Sequence, residues 1–75
     1  MKFIEMPGSV LRRIVQADEI PESTLQDAGI ESETVVRVNQ QGDIEVRRTA
    51  SWEVIGGLLG DFQKRVRSAT GLDWA

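Results

Sequence analysis

The chain has no cysteine and no histidine. The first absence excludes disulfide staples. Together they leave only carboxylates to hold a metal, a poor donor set for a zinc site, so neither a metal nor a cofactor is expected. P-loop and nucleophile-elbow patterns are missing as well, so the sequence predicts no enzyme. Tyrosine is absent, and two Trp and two Phe are all the aromatic bulk that can anchor a contact surface. No apolar run reaches the roughly 18 residues of a membrane span, and the N-terminus lacks a signal-peptide apolar segment. These two absences predict a cytoplasmic protein with no membrane partner. One sign of charge is also missing locally: residues 20–34 hold Glu22, Asp27, Glu31 and Glu33 but no Lys or Arg.

What is present is short and acidic: 75 residues, a formal net charge of −3 and a pI near 4.8. A chain of this size buries a small core and usually needs a staple, a metal or a partner chain. With the first two removed, a homodimer is the expected route to stability. The acidic balance is unusual for a free-standing nucleic-acid binder. The cations fall into three small groups, Arg12/Arg13, Arg47/Arg48 and Lys64/Arg65/Arg67. Such groups can meet phosphate locally, although solvated surfaces look the same.

Residues 1–5 read as a short strand, and Met6-Pro7-Gly8-Ser9 as a turn. Residues 10–16 fit two descriptions. Val10, Leu11, Ile14 and Val15 make a helical stripe with Ser9 as N-cap, but the β-branched content fits a strand pairing with residues 1–5. The strand is the expectation taken forward. Pro21 then opens a short helix, with Glu22 at its positive end and Gly29 as the residue that closes it. Ile30 is placed to fold back on Leu25. From Thr34 the period becomes two: Val36 and Val38 point one way, Arg37 and Asn39 the other. Asn39 to Asp43 supply a turn with Gly42 available for positive φ, and Ile44 and Val46 return on the core face. Glu45 and Arg47 face outward near Arg37 as a cross-strand charge set.

After Ser51, an N-cap candidate, the apolar residues Trp52, Ile55, Leu59, Phe62, Val66 and Ala69 recur at helical steps of three and four. The expectation is an amphipathic helix over 51–70, closed by Gly71, with Asp73-Trp74-Ala75 as a tail. Gly56, Gly57 and Gly60 fall inside it, each costing about 1 kcal/mol relative to Ala in a helix. They imply a close backbone approach there, or a kink. Asp18/Glu19 and Glu31/Glu33 read as exposed flanking charges rather than acid–base or metal pairs.

The segment Ile20-Pro21, short helix, Ala28-Gly29-Ile30, followed by the hairpin Val35–Arg48, resembles the second half of the AbrB/MazE-like swapped-hairpin domain family. The resemblance covers about 29 residues, and 48 if residues 1–19 form the first strand pair. It implies an α+β, mostly β chain: an AbrB-like swapped-hairpin β-barrel dimer over 1–48 with a C-terminal amphipathic helix over 49–75. It also implies a transcription regulator or the antitoxin half of a toxin–antitoxin pair. Two departures stand out. Glu33 and Thr34 occupy the family's Gly-Asp turn, and Leu25 and Gln26 stand where DNA-binding members carry arginines. Arg12 and Arg13 are the residues placed to substitute as DNA contacts.

Two functional classes follow. The leading one is a dimeric DNA-binding regulator or antitoxin using Arg12 and Arg13. The alternative is a protein-interaction module that binds no DNA and docks a toxin or other partner on Trp52, Ile55, Leu59 and Phe62 of the C-terminal helix. A third pattern competes locally: Ala28-Gly29-Ile30, Thr34-Val35 and Arg37-Val38 fit the spacing of a lactose-repressor-type helix-turn-helix, with Ser32–Gln40 as recognition helix.

Overall fold

Four β-branched or aliphatic residues at two-residue spacing set the centre of the molecule. In a computed structural model describing residues 1–74, Val36 and Val38 lie on β2 (Val35–Asn39), and Ile44 and Val46 on β3 (Asp43–Arg47). They face each other directly, Val36 opposite Val46 and Val38 opposite Ile44, and all four are fully buried. The hairpin expected from the alternation is therefore present in its expected register. The extended backbone of 35–39 also removes the helix-turn-helix alternative, because a recognition helix over Ser32–Gln40 does not form.

The turn is held by Asn39. Its Oδ1 accepts from the backbone N–H of Gln41 at 2.8 Å and of Asp43 at 3.0 Å, and Gly42 takes φ of 92°. Before the hairpin, α2 (Glu22–Asp27) ends as expected. Gly29 donates to the Gln26 carbonyl and Ile30 to the Leu25 carbonyl, each at 3.0 Å, the paired bonds of a Schellman motif. Leu25 and Ile30 are both buried.

β1 (Phe3–Pro7) pairs antiparallel with β2, with Ile4 opposite Val38 and Met6 opposite Val36. Residues 10–16 are not the strand that was expected. Gly8–Ile14 form helix α1, entered from Pro7 without an intervening turn. The helical stripe prevails because Leu11 and Ile14 bury on the sheet while Arg12 and Arg13 fall in the last turn, where the helix dipole favours cations. The first strand pair of the AbrB-like pattern is thus replaced by one strand and one helix.

The helix expected over 51–70 divides. Trp52–Gly57 form β4, which pairs antiparallel with β3 and completes a sheet of order β1-β2-β3-β4. Only Phe62–Thr70 are helical, as α3. Three glycines penalise the longer helix, whereas the β3 edge offers a ladder of hydrogen bonds to Trp52–Gly57. Glycine at 56 does mark a close approach: a Cβ there would lie 2.7 Å from Ile20 Cδ1. A bulge opposite Ile44/Glu45 leaves Ile55 unmatched on β4. Residues 1–48 and 49–75 therefore do not separate into a barrel unit and a helical unit, since β4 extends the same sheet.

The result is a small α+β fold with a four-stranded antiparallel sheet and a helix near the C-terminus. Both α1 and α3 take part in the core on one face of the sheet. Leu11, Ile14 and Val66 meet the sheet residues there, with Phe62 and Ala69 packed alongside. Trp74, expected in a tail, is part of that core. Trp74 is 3% exposed, donates its indole N–H to the Val38 carbonyl at 2.9 Å, and meets Phe62 edge-to-face at 6.3 Å. Among the described residues, no helix is long and apolar enough to cross a membrane.

Candidate functional site

The two expected DNA contacts have different surroundings. Arg12 grips Glu22 of α2: its Nε and Nη2 donate to the carboxylate, the shorter bond being 2.9 Å. This hydrogen bonding raises the Arg12 pKa and lowers that of Glu22 from its ordinary value. Arg12 thus ties α1 to α2. Arg13, one residue on, turns to the other side of α1 and is exposed.

Arg13 faces α3. Helices α1 and α3 pack together, and between them lies an open groove of about 500 Å³. The buried Ile14 and the half-buried Ala69 lie at its base, with Arg13, Lys64, Arg65 and Ser68 around them and Asp61 at one end. Two of the three basic groups in the sequence therefore converge. Among the described residues, Arg13 and Lys64 take part in no ion pair.

Arg65 is different, because it is fully engaged. Nη2 donates to Glu19 at 2.7 Å and to the Leu59 carbonyl at 2.8 Å; Nη1 donates to Glu19 at 3.1 Å and to the Ile14 carbonyl; Nε donates to Asp61 at 3.1 Å. Glu19 also accepts the backbone N–H groups of Leu59, at 2.6 Å, and Gln16, at 2.9 Å. Its side chain is 1% exposed. Burial works to raise the Glu19 pKa, but the Arg65 and backbone hydrogen bonds outweigh it and hold the carboxyl at about 2. Glu19 is therefore not the exposed flanking charge that the sequence suggests. It is the buried pin joining the 15–20 loop to the start of α3. Nothing in the local pattern identifies it, because its partner lies 46 residues away.

The four expected partner contacts do not share a face. Trp52 sits on β4, on the open side of the sheet, where Arg37 lies over its ring at 4.1 Å. Ile55 occupies the bulge and packs on the core. Leu59 is in the loop and 62% exposed, while Phe62 is half-buried against Trp74. The apparent seam arises because residues at helical steps of three and four fall across a strand, a loop and a helix.

On the open side of the sheet Arg37 is held between Phe3, 3.6 Å from the ring centroid, and Trp52. It pairs with Glu45 at 2.8 Å, the cross-strand charge pair expected from the sequence. The aromatic contacts on either side of Arg37 were not foreseen, since Phe3 and Trp52 belong to opposite edges of the sheet.

Among the described residues, no three acidic side chains cluster as a metal site would require. Comparison with protein-family models, with curated proteins and with solved structures finds no match to this chain.

Proposed function

We propose that the chain is a non-catalytic protein-interaction module that receives an acidic segment of a partner protein in the α1/α3 groove. The observation that carries this reading is that Arg13 and Lys64, two cations that take part in no ion pair among the described residues, line one groove beside the half-buried Ala69. Opposite charge at the rim steers and orients a ligand. The C-terminal helix keeps the partner-binding role that its sequence suggests, but through Lys64 and Ser68 rather than through Trp52, Ile55, Leu59 and Phe62.

The test is fluorescence anisotropy with a labelled acidic peptide containing one apolar residue, run against a labelled DNA duplex of matched charge. The module reading expects the peptide to bind in the micromolar range and Arg13→Glu with Lys64→Glu to remove that binding while the melting temperature holds. Failure of the peptide to bind at low salt would reject it.

The second reading follows the family resemblance: a DNA-binding regulator or antitoxin, acting as a homodimer. In its swapped-hairpin form, β1 of one copy would pair with β2 of the other. The same pair, Arg13 and Lys64, favours this reading, because it presents cations that can meet phosphates on a chain of net charge −3. With only two such contacts per copy, the salt dependence should be shallow, with a slope of about −2 per chain. Binding of the duplex but not the peptide, lost in the same double variant, would establish it over the first.

A further inference from the structure

The open side of the sheet lies away from the groove and carries a pattern of its own. The registers align Glu5, Arg37, Glu45 and Val54 in one row across all four strands. Their side chains alternate with the buried ones, so they project from the uncovered face. Arg37 and Glu45 are partly shielded, Glu5 is exposed, and Val54 is 60% exposed, one of the few large apolar side chains left outside the core. Trp52 and Phe3 flank the row and add half-buried aromatic surface.

We infer that this face docks on the same face of a second copy of the chain, about a two-fold axis parallel to the strands. Such an axis stacks β2 on β3 and β1 on β4. The row Glu5–Arg37–Glu45–Val54 then meets itself reversed. Arg37 lies over Glu45 of the second copy, Glu45 over Arg37, and Glu5 over Val54. No like charges are opposed. An in-plane axis perpendicular to the strands would set Glu5 over Glu5 and Arg37 over Arg37, a costly arrangement for charges removed from water. The row is thus complementary to itself in one orientation of two, which points to a second copy rather than to an unrelated partner.

The size of the patch fixes the strength. Four strands about 4.8 Å apart and five residues rising about 3.4 Å each outline roughly 19 by 17 Å. Two such patches cover about 650 Å² in total, below the roughly 1,200 Å² at which stable specific interfaces begin. The dimer is accordingly weak and concentration-dependent. It is not needed to complete the core, which closes within one chain. This surface is separate from the α1/α3 groove, so its failure leaves the reading of the groove where it stands.

Sedimentation velocity across the micromolar-to-millimolar range tests it on the full chain and two variants. Val54→Asp places a carboxylate over Glu5 of the second copy and should weaken the dimer about tenfold or more. Val54→Lys places an ammonium there and should leave the dimer at least as tight as the parent. Val54 is exposed in the single chain, so neither change disturbs folding, which a thermal melt verifies. A monomer throughout the range, a dimer indifferent to Val54→Asp, or equal weakening by Asp and Lys would each overturn the assignment.

Discussion

Replacing Glu19 by Gln keeps the shape of the side chain and removes only its charge, which makes it the sharpest probe of how the helices are held. In the parent, the Glu19 carboxyl is held at about 2 against an ordinary value of 4.5. Its folded pKa is depressed, so the stabilisation is fully present above the unfolded value and is lost as pH falls through the folded one. The gap corresponds to about 3 kcal/mol at neutral pH. Burial justifies carrying most of that figure over, since the side chain is 1% exposed and little screened by water. In a domain of this length about 1 kcal/mol moves the melting temperature by roughly 4–8 °C. Glu19→Gln should therefore melt more than about 10 °C below the parent at pH 7. The difference should shrink between about pH 5 and pH 2, because both proteins then carry a neutral group at this position. Urea unfolding followed by circular dichroism at several pH values measures both effects. A variant within about 0.5 kcal/mol of the parent at pH 7, or a deficit that does not change with pH, would refute the reasoning. Arg65→Met should be similarly harmful alone, and less than additive with Glu19→Gln, because the two changes remove one interaction.

Other outcomes follow from the packing. Val38→Asp should abolish folding, because the site is fully buried and a lone carboxylate there costs several kcal/mol; a folded variant in circular dichroism would refute the register. Trp74→Ala should cost about 3–5 kcal/mol in chemical denaturation, through lost contact with Phe62 and loss of the indole hydrogen bond to the Val38 carbonyl. Asn39→Ala should cost about 2 kcal/mol, because the N–H groups of Gln41 and Asp43 lose their acceptor, and amide exchange at those two sites should quicken. A chain ending after Arg48 should be unfolded by the same spectroscopic criterion, since it lacks β4, α3 and Trp74.

The parts of the fold legible in the sequence were those fixed by neighbours along the chain. The 35–47 hairpin has strict alternation and a turn residue whose side chain caps its own backbone. The α2 terminus has Gly29 and Ile30 in the order that a Schellman ending requires. Two elements misled for opposite reasons. Residues 10–16 are short and β-branched, and only their long-range burial against the sheet and their position at a helix C-terminus decide between helix and strand. Residues 52–69 match a helical period over a span that includes three glycines. The edge of β3 settles it by claiming 52–57, a contact that lies outside any window of sequence. The candidate site was legible in part. Its doublet with Arg12 marks Arg13 as a candidate, but its groove partner Lys64 is 51 positions away, and nothing along the chain connects the two. Arg12, singled out with it, serves α2 instead.

Titration of the isotopically labelled protein with an acidic peptide, followed residue by residue in amide NMR spectra, shows whether the α1/α3 groove receives such a segment. A module that binds through the α1/α3 groove should show saturable shifts at Arg13, Ile14, Lys64, Ser68 and Ala69, lost in Arg13→Glu with Lys64→Glu. Spectra that do not change, or shifts centred on residues 20–34 or on the open side of the sheet, would contradict it.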